Sequence, residues 1–275
     1  MPLVSLAVRP VDVVRVGATT SETRPDLAAT EEPLEIRLDN VPFVVTMRTP
    51  GADRELAAGF LLAERIIDGP DDLGTIQHCT DAEAAAGNVL NVTLAGEAVI
   101  RARDALAHRR VVTTTSACGV CGRQSIDDLM AGIAPVALTW SVSKDVIAAL
   151  PDRLRASQST FDATGGLHAA GLFDRTGRLI AVAEDVGRHN AVDKVIGAQL
   201  LIERFPLSDY ILFVSGRTSF EIVQKAVAAR LPMVAAVSAP TSLAVDLARQ
   251  AGVTLLGFVR GGSFNIYATP GRVEL

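Results

Sequence analysis

The second half of the chain, from Gly165 onward, carries the most regular pattern of apolar and polar positions. Short apolar runs, which are typical of buried strands, alternate with longer segments whose apolar residues recur at helical spacing. The pattern predicts strands over 168–173, 179–183, 210–214, 233–237 and 254–259, and helices over 190–204, 220–229 and 243–250. The first two strands form a hairpin that turns at residues 175–177. Continuous apolar strands between helices are typical of a buried, largely parallel sheet with helices packed on it.

The first half of the chain shows shorter and less regular segments. Asp53 is the predicted N-cap of a helix that runs to about Ile67, and its apolar positions suit one buried face. The other predicted elements are a valine-rich edge strand over 6–16, a loop over 17–31, a hairpin of strands 34–38 and 43–48 that turns at Asp39 and Asn40, and short strands over 76–79 and 89–94. This pattern predicts a small mixed sheet with one helix.

Between these halves the chain is basic and then rich in small residues. Residues 101–110 are basic, and a solvated helix or a linker is favoured there over a partner site. The following segments are predicted as a strand over 111–115, a short helix over 125–129 and a helix over 143–154 that is interrupted near Pro151. We therefore expect a smaller mixed α+β N-terminal domain, residues 1–110, and an α/β domain over 111–275.

The composition argues against several classes of protein. The chain has 275 residues, 49% hydrophobic and 21% charged, which is an ordinary globular composition. A net charge of -5 gives no sign of a general nucleic-acid binder. No apolar run approaches the ~18 residues that span a bilayer, and the N-terminus lacks the features of a signal peptide. Three cysteines do not form a secreted disulfide framework, so a reducing cytoplasm is the expected compartment and paired thiols are free for chemistry.

Four loops that follow predicted strands are rich in Gly, Ser, Thr and Arg. In open α/β sheets, ligands bind beyond the carboxyl ends of the strands, where helix N-termini offer free N–H groups to anions. Any one of these loops is explained by ordinary turns, but all of them together favour an anion or nucleotide site. No Walker or G-x-G-x-x-G pattern appears, so hydrolysis and hydride transfer have no support. The loops are 184–190, 215–219, 238–242 and 257–262.

Three arginines in these loops, Arg188, Arg217 and Arg260, have the fork-shaped group that binds phosphate with two hydrogen bonds. Thr218 and Glu221 match a capping box, which predicts the start of a helix there. We interpret Arg188, Arg217 and Thr218 as ligand-binding residues.

Cys118 and Cys121 stand three positions apart among glycine and other small residues, which cannot fill a core. A structural zinc site needs two further ligands, and the candidates Cys79, His78, His108, His168 and His189 include no second closely spaced pair. The zinc-deaminase pattern also fails, because Ala117 replaces its proline and no H-x-E precedes the cysteines. The alternatives are a redox pair and a sulfur carrier.

A redox pair of the thioredoxin type is followed by a long helix, whereas the helix predicted after Cys121 is short. A sulfur carrier needs an accessible cysteine of lowered pKa, because the thiolate is the nucleophile. Arg123 and the helix start at Ser125 could stabilise that thiolate. The residues alone leave the metal, redox and carrier alternatives open.

Six blocks of the sequence together resemble the FdhD family, the sulfur carrier proteins needed for formate dehydrogenase activity. The resemblance runs from about residue 30 to the C-terminus, and it is specific because the blocks occur in order. The blocks are 113–122 with both cysteines, 164–170, 184–194, 215–221, 238–244, and 257–260 with 265–267.

The resemblance implies a protein that takes sulfur from a cysteine desulfurase and passes it to a molybdenum or tungsten cofactor. The acceptor is implied to be Mo-bis(molybdopterin guanine dinucleotide), for insertion into formate dehydrogenase. Cys118 is implied to carry the persulfide, and we assign Cys121 an assisting or protecting role, although Cys121 lies nearer Arg123. The implied fold is a cytidine-deaminase-like, three-layer α/β domain with an additional N-terminal portion, forming a homodimer without a metal of its own.

The resemblance also implies a cofactor-binding segment near the C-terminus. His168 and His189 are candidates for ligand binding or proton transfer, and Asp185 and Glu184 for accepting from guanine. A cofactor-binding chaperone without its own sulfur transfer, or a zinc-dependent deaminase-like hydrolase, remains as an alternative function. The implied segment consists of Phe258, Val259, Arg260, Gly261, Gly262 and Ser263.

Overall fold

A computed structural model of the chain describes residues 6–79, 87–109, 135–137 and 139–275. Fourteen strands and seven α-helices are found in these ranges, which confirms the α/β class. The strands are β1 (Val8–Val16), β2 (Ser21–Ala29), β3 (Glu32–Leu38), β4 (Val41–Arg48), β5 (Leu73–His78), β6 (Val89–Leu94), β7 (Val142–Ser143), β8 (His168–Asp174), β9 (Leu179–Asp185), β10 (Tyr210–Val214), β11 (Met233–Ala236), β12 (Thr254–Arg260), β13 (Ser263–Ala268) and β14 (Val273–Glu274). The helices are α1 (Asp53–Ala63), α2 (Ala98–Arg109), α3 (Lys144–Arg155), α4 (Ser159–Thr164), α5 (Arg188–Leu200), α6 (Phe220–Ala228) and α7 (Ser242–Gln250).

The largest sheet has six strands in the order β13-β12-β11-β10-β8-β9. Five of its strands are those that the apolar runs predict, and β13 is an additional strand that they did not predict. Only the β10–β11 and β11–β12 pairs are parallel, however, so the prediction of a largely parallel sheet is wrong. The β8–β9 and β12–β13 pairs are antiparallel because a tight turn joins each of them, and β8 also runs against β10.

Helices cover both faces of this sheet. Along β10, Leu212 and Val214 point into a core shared with α5, α6 and α7, whereas Ile211 and Phe213 point into a second core shared with α3. This alternation follows from the two-residue period of a strand. A strand that is buried on both faces reads as a continuous apolar run, which explains why β10 has the predicted bounds. The cytidine-deaminase-like arrangement stays a prediction, as does the division into domains at residue 110.

The N-terminal part forms a four-stranded sheet in the order β4-β3-β6-β5 and a separate two-stranded sheet of β1 and β2. The predicted β3–β4 hairpin is confirmed: Asp39 and Asn40 adopt φ values of 47 and 67, which residues of these types tolerate in a tight turn. The loop predicted over 17–31 is wrong, because β2 pairs with β1 along its whole length. Most of β2 is exposed on both faces, so its sequence lacks apolar alternation.

The start of α1 differs from its prediction. Ala52, in the left-handed conformation with φ 55, is the N-cap, and Asp53 is the first helical residue. The Asp53 carboxylate accepts from Nε and Nη2 of the buried Arg48, at 3.0 Å each, instead of capping the helix. The helix ends at Ala63 rather than Ile67, because Arg65 adopts a φ of 58, which no helix continues through.

Three further helices refine the predictions. The basic segment is the helix α2, in which Arg101 donates to Asp72 at 2.6 Å. The helix α3 begins after its cap Ser143 and continues through Pro151, so the predicted interruption is wrong. The helix α5 begins at Arg188 and ends at Leu200, earlier than predicted at both ends. The strand predicted over 111–115 and the helix predicted over 125–129 lie outside the described residues.

The helices α1 and α5 cross at very short range, which joins the N-terminal sheet to the large sheet. A methyl group added to Gly197 would overlap the carbonyl oxygen of Glu55, and one added to Gly59 would overlap the carbonyl oxygen of Asp193. Only glycine allows two helix backbones to approach so closely. None of the helices in the described ranges is both long and apolar enough to cross a bilayer.

We expect Gly197→Ala to lower the free energy of unfolding by at least ~2 kcal/mol, because the added methyl group overpacks the α1–α5 crossing. Urea denaturation would measure the change. Gly17→Ala is the matched control, since its nearest neighbours would lie 3.5 Å from the new methyl group, an ordinary contact. Helix propensity alone would make the Gly197 variant more stable by about 1 kcal/mol. A gain in stability would therefore contradict the close approach of α1 and α5.

Candidate functional site

The strand-end loops meet at one edge of the large sheet. The loops 215–219, 238–242 and 257–262 are joined through backbone hydrogen bonds, from Thr218 N to Ala239 O (3.2 Å), from Thr241 N to Thr218 O (2.9 Å) and from Phe258 N to Ser238 O (3.2 Å). At the other end of the row, the first residue of β8 faces the last residue of β9. The prediction that these loops share one edge is confirmed.

Asp185, at the end of β9, organises the loop that begins there. One carboxylate oxygen accepts from Gly187 N at 2.8 Å and from Asn190 Nδ2 at 2.9 Å. The other oxygen lies 2.7 Å from Lys194 Nζ and accepts from Thr49 N at 3.2 Å. The side chain has no exposed surface, so a buried ion pair fixes the loop between β9 and α5.

The same ion pair joins this loop to the N-terminal part of the chain. Lys194 Nζ donates to the Thr49 carbonyl at 2.8 Å, and Asn190 Nδ2 donates to the Met47 carbonyl at 2.7 Å. Val186 N donates to Thr49 Oγ1 at 3.1 Å. The position of the loop is therefore set by residues at the end of β4, a role that no local sequence signal indicates.

The expected contact of Asp185 with guanine is wrong in this structure, whereas that of Glu184 stays a prediction. Asp185 is fully buried with both oxygens occupied. Glu184 accepts from the backbone N–H groups of Thr160 and Phe161, at 2.9 Å and 2.8 Å. Both carboxylates therefore bind protein groups at the edge, and Glu184 accepts hydrogen bonds from the first turn of α4.

His168 and Arg188 lie side by side above Gly216. A methyl group added to Gly216 would lie 3.4 Å from His168 Nδ1 and 3.8 Å from Arg188 Cδ. Burial and then the positive charges of Arg188 and His189 lower the pKa of His168, against a smaller opposing effect of Asp185. His168 is accordingly neutral at neutral pH, so one ring nitrogen can donate a hydrogen bond and the other can accept one.

The predicted capping box of Thr218 and Glu221 is wrong. Ser219 is the N-cap of α6 and its side chain makes no capping hydrogen bond. Glu221 instead lies 2.8 Å from His189 Nε2 and accepts from Ser219 Oγ at 3.0 Å. Burial alone would raise the pKa of Glu221, but the hydrogen bonds and charge of its neighbours, His189 foremost, lower it.

The arginines of the edge form no ion pair with any described carboxylate. In the part of the chain that the structure describes, Arg188, Arg217 and Arg260 form no ion pair, and Arg188 Nε is buried without a hydrogen-bond partner. Thr218 Oγ1 is also buried without a partner among the described residues. A concentration of unpaired cationic and donor groups attracts anions, and phosphate suits the guanidinium fork.

The predicted cofactor segment forms the turn between β12 and β13 at the same edge. Gly261 and Gly262 have φ values of 58 and 77 and open space around them. The Arg260 guanidinium lies over the Phe258 ring, 5.4 Å from its centre. Val259 is fully buried in the second core, so only its backbone lies at the turn. Ser263 is exposed and donates to the Arg260 carbonyl at 3.2 Å.

Cys118 and Cys121 lie outside the described residues, so the structure places neither of them relative to the edge. Within the described ranges no three His, Cys, Asp or Glu side chains are grouped as metal ligands are, and Cys79 is a free thiol. The described site therefore consists of the arginines, histidines and glycines of the strand-end loops.

The fold and the edge together define an α/β protein with a cationic, glycine-rich candidate ligand edge. The chain belongs to the FdhD/NarQ family, whose model matches residues 29–274. It is 51% identical over 267 residues to the sulfur carrier protein FdhD of Streptomyces coelicolor, covering 96% of this chain and 94% of that one. It is also 53% identical over 257 residues to the sulfur carrier protein FdhD of Anaeromyxobacter dehalogenans strain 2CP-1, covering 91% and 89%.

A solved structure shares the fold. A crystal structure from Desulfotalea psychrophila, of a protein assigned as a formate dehydrogenase accessory protein, superposes with a TM-score of 0.77 at 23% identity. The match covers 98% of this chain and 100% of that one, so it includes the N-terminal sheets.

We expect Asp185→Asn to lower the free energy of unfolding by about 3 kcal/mol, because it leaves Lys194 buried without its counter-charge. Urea denaturation at neutral pH would measure the loss. Asp246→Asn is the matched control: Asp246 lies 3.9 Å from Arg249 with both side chains 64% exposed, and such a pair contributes less than ~0.5 kcal/mol. Equal effects of the two substitutions would contradict the role of Asp185.

Proposed function

We propose that this chain is a sulfur carrier for the maturation of formate dehydrogenase. It accepts sulfur from the persulfide of a cysteine desulfurase and passes it to Mo-bis(molybdopterin guanine dinucleotide) or the tungsten analogue. The observation that carries the proposal is the similarity, at about half of all positions and over nearly the whole chain, to proteins named sulfur carrier protein FdhD. The Cys118 and Cys121 pair supplies thiols for that chemistry.

The first step of the transfer requires one thiolate. The Cys118 sulfur attacks the terminal sulfur of the donor persulfide, a new S–S bond forms, and the donor cysteine leaves as a thiolate. Cys118 then holds the terminal sulfur as its own persulfide until the acceptor takes it. Cys121 assists this step or protects the persulfide.

The strand-end edge supports a dinucleotide acceptor. The guanine dinucleotide carries phosphate groups, and Arg188, Arg217 and Arg260 form no ion pair with any described carboxylate. Glycines at 261 and 262 leave open space where a ligand could approach the backbone. The proposed partners are the cysteine desulfurase and formate dehydrogenase, and we propose that the protein acts in the cytoplasm as a homodimer.

We expect the desulfurase, supplied with cysteine, to load a persulfide on the wild type and on Cys121→Ala but not on Cys118→Ala. Mass spectrometry of the intact protein would detect the added mass of sulfur. Cys79→Ala is the control, because Cys79 lies on the N-terminal sheet at the end of β5. A persulfide that remains on Cys121 alone would reverse the two assignments, and full maturation without both cysteines would favour a cofactor-binding chaperone.

We expect Arg217→Ala to weaken the binding of guanosine diphosphate about tenfold, the loss of one charge-assisted phosphate contact. Isothermal titration calorimetry would measure the affinity. Arg178→Ala is the control, since Arg178 is also exposed but pairs with Asp174 at 3.0 Å in the hairpin at the opposite end of β8. Equal affinities of the wild type and Arg217→Ala would show that Arg217 does not contact the nucleotide.

A further inference from the structure

A single imidazole nitrogen connects the starts of two helices at the ligand edge. His189 lies in the first turn of α5, and its Nε2 is 2.8 Å from a Glu221 oxygen and 3.1 Å from Ser219 Oγ, both at the start of α6. The Ser219 hydroxyl donates its own hydrogen to Glu221, at 3.0 Å. Since neither acceptor has a hydrogen left for His189, Nε2 carries the hydrogen of the neutral ring and Nδ1 has the lone pair.

The charges around His189 come from several elements. Arg188 precedes it on α5, His168 lies on β8, and Glu221 faces it from α6. Asp193, one turn further along α5, is buried and bound at 2.7 Å and 2.8 Å by Lys225. Glu221 is therefore the carboxylate, within the described residues, that is left to balance a positive charge on His189.

His168 provides the contrast at the same edge. It has no carboxylate hydrogen bond in the described part of the chain, and burial followed by the charges of Arg188 and His189 lowers its pKa. His189 has the carboxylate contact that His168 lacks, and its side chain is 22% exposed and so within reach of a ligand. The two neighbouring histidines therefore differ in the partners that hold their rings.

We propose that Glu221 is a positioning residue of the acceptor site: it fixes the His189 ring with Nε2–H toward itself and favours a proton on Nδ1 when a phosphate-bearing anion binds. The inference rests on the proposed acceptor function of this edge and adds the residue that acts through His189. A carboxylate that orients a histidine selects which ring nitrogen serves the ligand. The lowered pKa of Glu221 supports the proposal, because it keeps the carboxylate ionised over the range in which a histidine titrates.

Glu221→Gln separates charge from geometry, because glutamine keeps an oxygen that accepts from His189 Nε2–H and loses only the negative charge. We expect the pKa of His189, measured by NMR titration, to fall by about one unit. We expect the affinity for guanosine diphosphate at neutral pH to fall by about three- to tenfold, and its pH profile to move to lower pH with the His189 pKa. His189→Gln should remove this part of the pH profile.

A control variant and a measurement on the wild type complete the test. His78→Gln is the control, since His78 lies 3.6 Å from Asp53 on the N-terminal sheet and should leave nucleotide binding unchanged. Calorimetry in buffers of different ionisation enthalpy should show more proton uptake on nucleotide binding by the wild type than by His189→Gln. The protons taken up by the nucleotide itself are the same for both proteins, so they cancel in this comparison. The comparison also does not depend on a Glu221 variant that folds.

Three results would overturn the inference. They are an unchanged His189 pKa in folded Glu221→Gln, equal proton uptake by the wild type and His189→Gln, and no binding of guanosine diphosphate by the wild type at any pH. The persulfide on Cys118 is measured without nucleotide, so each of these results is distinct from a failure of sulfur carriage itself.

Discussion

The buried ion pair of Asp185 and Lys194 is the interaction on which the candidate ligand edge depends. It lies where three segments meet: the end of β4, the end of β9 and the second turn of α5. Breaking such a pair by removing one partner costs about 3–5 kcal/mol, because the other charge stays buried. The pair is therefore costly to lose, and it determines the backbone path from Val186 to Asn190, which carries Arg188 and His189 to the edge.

The crossing of α1 and α5 complements the ion pair. Gly59 and Gly197 let the two helix backbones come together, so that Thr49 and Met47, just before α1, reach the groups of α5. The N-terminal sheet consequently has a part in the geometry of the ligand edge, even though it contributes none of the predicted ligand-binding side chains. A substitution on either side of this contact would change the position of the loop after β9.

Sequence patterns predict the elements where one physical signal dominates. The strand β10 is apolar throughout because both of its faces are buried, and it is found at the predicted bounds. The strand β2 gives no such signal because it is exposed on both faces, and Asp53 resembles a cap although Arg48 binds it. The shared edge of the loops was predictable because each loop follows a predicted strand, but the Glu221–His189 contact was not, since it joins residues that are distant in sequence. The two cysteines lie outside the described residues, so the roles assigned to them rest on the sequence alone.

The unpaired arginines of the edge have an energetic consequence for the protein without ligand. Like charges near one another repel: after burial, the charge of Arg188 is the next cause that lowers the pKa of the neighbouring His168. An anion that binds there relieves the repulsion as well as forming its own contacts, so occupancy and folding stability are thermodynamically linked. Dissolved salt screens the same repulsion over roughly 10 Å, which makes ionic strength a second variable that acts on the empty edge.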